Sequence, residues 1–96
     1  MNRTEHLLWC LAEECCEVAH RASKAARFGI NEIQSGQDKT NQQRLVGEIH
    51  DLLSVVGMLV QDGIIAEPND RTAIDAKKDK VEKFLKYSME CGTLIE

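Results

Sequence analysis

Five carboxylates fall in two short runs, Glu13, Glu14 and Glu17 early in the chain and Glu48 and Asp51 near its middle. Glu14 and Glu17 are three residues apart, as are Glu48 and Asp51, and on a helix that spacing puts both members of a pair on one face. At roughly 100° per residue with Leu7 at zero, Leu11, Val18, Ala22 and Ala25 form an apolar stripe between about 0° and 60°. Glu14 falls at about −20°, inside that stripe, and Glu17 borders it at about −80°. A carboxylate in such a place needs a cation, a hydrogen-bond donor or a water-filled cleft, because a buried unpaired charge costs several kcal/mol or takes up a proton. The second run repeats the pattern: with Leu45 at zero, Ile49, Leu52, Val56 and Leu59 lie within about 40° and Glu48 and Asp51 follow along one edge at about −60° and −120°. Two helices presenting acids along one edge of their apolar stripes can build a metal site between them. Four oxygen ligands suit a hard cation such as Mg²⁺, with Mn²⁺ as a substitute.

E-E-x-x-E followed by E-x-x-D on a later helix resembles the MazG-like, all-α nucleoside triphosphate pyrophosphohydrolases. The resemblance covers most of the chain, read as a single domain over residues 1–96. It implies Mg²⁺-dependent hydrolysis of an NTP or dNTP to the monophosphate and pyrophosphate. It also implies that Glu14, Glu17, Glu48 and Asp51 hold the metal, with Glu13 as the flanking first acid, either orienting the attacking water or standing behind the ligands.

These acids have to be positioned by helices. Thr4 and Glu5 precede an apolar rhythm that runs to about Phe28, where Gly29 stops it. Residues 30–40 are polar and turn-forming around Ser35-Gly36, which predicts a loop with a short helical turn at Asn31 to Gln34 and the position of a lid. Thr40 or Asn41 caps a second helix that runs to Gln61 or Asp62, ahead of Gly63. Gly47 and Gly57, inside it, each cost up to about 1 kcal/mol relative to Ala and so predict close approach of another helix or a ligand. After the only proline, Pro68, a third helix starts from Asn69 or Asp70 and continues to about Cys91 before Gly92. No segment alternates as a strand does. The expected fold is all-α: an antiparallel bundle of three main helices per chain, completed by oligomerisation.

The third helix carries cations: from Lys77 to Lys86 there are five lysines against two acids. With Lys77 at zero, Val81, Phe84 and Ser88 lie between about −20° and 40°, so Lys77 points along the core face and Lys80 borders it at about −60°. A lysine there either neutralises the carboxylates or meets a phosphate of the substrate. Arg21, one turn beyond Glu17, has the same two readings.

Composition narrows the rest. The chain has 96 residues, 43% hydrophobic and 29% charged, with one Trp, one Tyr and two Phe. So small a core, poor in aromatics, predicts a homodimer or homotetramer, with Trp9, off the main stripe, at the contact. A net charge of −4 argues against a nucleic-acid or anionic-membrane binder. No run is apolar enough to span a bilayer and the first residues lack the shape of a signal peptide, so the expected location is the cytoplasm, with Cys10, Cys15, Cys16 and Cys91 as reduced thiols. Di-iron carboxylate bundles need a Glu-x-x-His on each of two helices, and the chain has it once, at Glu17-Val18-Ala19-His20. The alternative to an enzyme is a helical interaction or regulatory module that keeps the fold and has no use for four acids in one cleft.

Overall fold

The computed structural model describes all 96 residues and contains three helices, α1 (Arg3–Phe28), α2 (Asn41–Gln61) and α3 (Arg71–Glu90), with no strand. Each start is set by a side chain that satisfies a backbone N–H the helix leaves free. Asn2 accepts from the Glu5 N–H, two positions earlier than the expected signal at Thr4. Thr40 and Gln43 form a reciprocal capping box at α2, and Asp70 accepts from the Ala73 N–H at α3. Helices α2 and α3 end alike. Gly63 (φ 74°) donates to Val60 O while Ile64 donates to Leu59 O, and Gly92 (φ 81°) donates to Met89 O while Thr93 donates to Ser88 O. A left-handed residue is required at both places, which is why glycine stands there.

Helices α1 and α2 pack as an antiparallel hairpin. Arg3 at the start of α1 pairs with Asp62 at the end of α2 at 2.7 Å, and the opposite end closes where Asn41 Nδ2 donates to Gly29 O at 2.8 Å and to Glu32 Oε1 at 2.9 Å. Leu7 and Leu59 form the buried core, with Leu59 fully covered, and Asn41 is only 2% exposed. The sequence marks Asn41 as an alternative cap, whereas its amide is the clamp that holds the end of α1 to the start of α2.

The connecting residues contain turns at Ile30-Asn31 and Ser35-Gly36 but no helical turn over Asn31 to Gln34. The backbone instead spends its hydrogen bonds on α2: Glu32 O accepts from the Asn41 N–H and Ile30 O from the Gln42 N–H, while Arg44 Nη1 donates to Gln34 Oε1. The first half of the predicted lid is thus stitched to the scaffold.

Helix α3 packs on neither α1 nor α2, so the expected three-helix bundle exists within the chain only as its first two members. No residue of α3 is buried. The radius of gyration is 16.8 Å, against about 12–13 Å for a compact chain of this length. The close approach expected at Gly47 and Gly57 is also absent, since a Cβ at either would meet nothing within 4 Å. Both lie on open helix surface within the chain. No helix of the structure is long and apolar enough to cross a membrane.

Candidate metal centre

The hairpin register brings the two acid runs together. One carboxylate oxygen from each of Glu14, Glu48 and Asp51 lies within 4.8 Å of the other two. Glu14 and Glu48 are half-buried and Asp51 is exposed, so the cluster opens to solvent along one edge of the helix pair. Glu14 has its carboxyl held above the ordinary range, first by loss of water around it and then by the negative charges of Asp51, Glu48, Glu13 and Glu17. Its position in the apolar stripe of α1, one turn from the half-buried Leu11 and Val18, is the sequence feature behind that desolvation.

Glu17 and Glu13 stay outside the trio. Both are exposed, and both act on Glu14 through their charge. The structure therefore gathers three of the four expected ligands and leaves Glu17 one turn along α1, at the margin.

What is missing is as informative as what is gathered. The ion pairs of the chain are Arg3–Asp62, Arg71–Asp75 and Lys78–Asp75, and none involves the five acids of the two runs. Like charges held this close repel, and a divalent cation among hard oxygen donors relieves that repulsion. The donor set, three convergent carboxylates with no thiol or imidazole, fits Mg²⁺ or Mn²⁺.

Beside the trio lies a polar concavity of about 380 Å³ whose wall includes Gln37, Lys39, Gln43, Arg44, Glu48 and Asp51. Lys39 and Arg44 are the residues that sequence reasoning missed here. Arg44 could have been found as the residue one turn before Glu48, whereas Lys39 enters only because the end of the loop turns back over α2. Gly47 lines the same concavity, so its missing side chain leaves space beside the acids.

Arg21 is half-buried and places Nη1 out of contact with water without a hydrogen-bond partner. It forms no ion pair with Glu17, so the neutralising role open to it in the sequence is unfilled. Lys77 and Lys80 lie on α3, away from the hairpin, along a groove of about 330 Å³ shared with Val81, Phe84, Leu85 and Ser88. Lys77 shares that groove with Val81 and Phe84, its neighbours on the wheel, but no residue of α3 is buried and within one chain that face meets no carboxylate run. Trp9 is 64% exposed, in a shallow apolar depression with Leu8 and Ala12.

No family model, curated protein or solved structure matches the chain.

Proposed function

We propose that the chain is a Mg²⁺-dependent nucleoside triphosphate pyrophosphohydrolase of the MazG-like kind, releasing the monophosphate and pyrophosphate in the cytoplasm. The observation that carries this reading is the convergence of Glu14, Glu48 and Asp51 oxygens within 4.8 Å on two packed helices, without a cation of the chain paired to them. Glu17 would complete the ligand set from the margin. Bound Mg²⁺ would polarise a phosphoryl oxygen and make water acidic enough to attack near neutral pH. The chain supplies the rest. Glu13, exposed beside the ligands, can orient the attacking water, and Lys39 and Arg44 can offset phosphate charge where the concavity opens next to Glu48 and Asp51. Arg21, Lys77 and Lys80 are the further cations available to the departing pyrophosphate.

The assembly fitting this reading is a homodimer or homotetramer that covers exposed apolar residues such as Trp9 and Leu53 and completes the helical bundle. A helical interaction module is the competing reading, and the same exposed apolar surface favours it. The two separate in one experiment: incubation with each canonical NTP and dNTP, with Mg²⁺ or Mn²⁺, and product analysis that distinguishes pyrophosphate from orthophosphate. Pyrophosphate with a monophosphate supports the enzyme. Absence of hydrolysis across the set, together with no thermal stabilisation by either cation, leaves the module.

A further inference from the structure

Two features of the chain lack partners and match one another. The first is the acid-bearing edge of the hairpin, where Glu14, Glu48 and Asp51 form no ion pair and their one-turn neighbours Leu11, Val18, Leu52 and Val55 are only half-buried. The second is α3, which packs on neither α1 nor α2 and yet is amphipathic. Its groove sets Lys77 and Lys80 beside Val81, Phe84 and Leu85, and neither lysine has an ion-pair partner. The hairpin edge carries five acids, with Lys39 and Arg44 to one side of them, and the groove of α3 carries lysines, so the prevailing signs are opposite.

The area agrees. A folded monomer of 10.8 kDa exposes about 5,500 Å² by size scaling. This chain exposes 7547 Å², about 2,000 Å² in excess of that scaling, which is the loss per chain expected of a large, permanent interface rather than a transient contact. The connection between the helices permits exchange. The hydrogen-bonded turn at Gly63 fixes how the chain leaves α2, Pro68 stiffens the approach to α3, and the residues from Gly63 to Asp70 can span up to about 28 Å when extended.

We propose that α3 is exchanged between two copies of this chain, each α3 lying along the acid-bearing edge of the other copy's hairpin, so that Lys77 and Lys80 serve the partner's carboxylate site and not their own. The site is then composite: acids from one chain, cations from the other. Where a triphosphate is the substrate, these lysines meet its phosphates, a role that rests on the pyrophosphohydrolase reading. The exchanged geometry itself does not depend on it.

The test uses full-length protein without metal or substrate. Unlabelled and ¹⁵N-labelled chains are unfolded together, refolded, sized by light scattering and treated with a carbodiimide, which joins a lysine to a carboxylate only at ion-pair range. Mass spectrometry then reads cross-links from Lys77 or Lys80 to peptides carrying Glu13, Glu14, Glu17, Glu48 or Asp51. Exchange predicts a dimer or tetramer in which about half of these cross-links join a light to a heavy peptide, as random pairing requires. A monomer at micromolar concentration overturns the proposal. So does an oligomer whose cross-links at these sites are all light–light or heavy–heavy, since α3 would then fold back on its own hairpin, and so does an oligomer lacking them. Phe84→Asp adds a second measurement on the apolar half of the contact and is expected to shift the assembly to monomer while far-UV helicity remains. Mixed cross-links in a protein that hydrolyses no nucleotide would sink the enzymatic reading alone, and hydrolysis by a monomer would sink only the exchange.

Discussion

The α1–α2 hairpin and α3 are built from the same local grammar and end in different states. Both have capped starts, and α2 and α3 end in the same glycine motif, with the same pattern of hydrogen bonds closing the last turn. Yet the hairpin contains Leu7, Leu59 and Asn41 as buried residues, and α3 contains none. Caps and periodicity are enough to write a helix into a chain. They do not decide what its apolar face meets, because that depends on surfaces distant in sequence or on another molecule. In this protein the difference also separates charge: the uncompensated acids lie on the hairpin, and the densest run of lysines lies on the helix that stands away from it.

The largest effect that can break this comparison is expected at Glu14. Glu14→Gln should abolish turnover and weaken Mn²⁺ binding by at least about 10-fold, since losing a ligand should cost no less than losing a residue that merely supports one. The apo protein should become no less stable, because a repelled carboxylate is removed from the acid cluster. Wild-type activity in this variant would falsify the site. The pH dependence has the same origin. Glu14 has a folded pKa above its ordinary value, so the folded state binds the proton more tightly than the unfolded chain does. Its contribution therefore favours the fold below the ordinary carboxylate value and declines as pH rises through the window up to the raised value. Metal affinity should move the other way, falling as the pH is lowered through that window, and calorimetry with Mn²⁺ across pH checks it.

Core substitutions come next. Leu59→Ala should cost about 2–5 kcal/mol in chemical unfolding, as for a fully covered leucine. Phe84→Ala on α3 sharpens the comparison, because Phe84 is 53% exposed within the chain. At protein concentrations where only monomer is present it should change stability by less than about 0.5 kcal/mol. At concentrations where chains associate, its cost should grow towards that of a core aromatic. A cost independent of concentration would mean that α3 packs within its own chain.

Lys77→Ala probes the charge side. If the ammonium meets a substrate phosphate, binding or turnover should weaken by about 1.5–3 kcal/mol with metal affinity little changed, the range for a hydrogen bond to a charged group. If Lys77 only neutralises the acids, its removal should instead tighten Mn²⁺ binding and leave kinetics intact. Titration and steady-state rates on one preparation decide between them.

The smallest expected effect is at Gly57. A Cβ there meets nothing within 4 Å, so Gly57→Ala should stabilise α2 by up to about 1 kcal/mol in thermal unfolding. Destabilisation confined to the associated form would place a neighbouring chain against that glycine.

The sequence by itself determined the three helices almost to the residue, because caps, glycine stops and the apolar period are local properties of the backbone and its nearest side chains. It also placed Glu14 inside an apolar stripe, since a helical wheel is enough for that, and the loss of water there raises its carboxyl pKa. The conformation of residues 30–40 was not legible, because their backbone hydrogen bonds go to the first turn of α2 and to the Asn41 amide, partners that a propensity reading of the loop does not contain. Lys39 beside Glu48 and Asp51 follows from that same loop path. Which of the acids converge was likewise decided in three dimensions. The register of the hairpin, fixed by Arg3–Asp62 at one end and Asn41–Gly29 at the other, gathers Glu14 with Glu48 and Asp51 and leaves Glu17 at the margin. The place of α3 lay furthest from the sequence, for a wheel names the face a helix must bury and is silent on whether the surface that buries it belongs to the same chain.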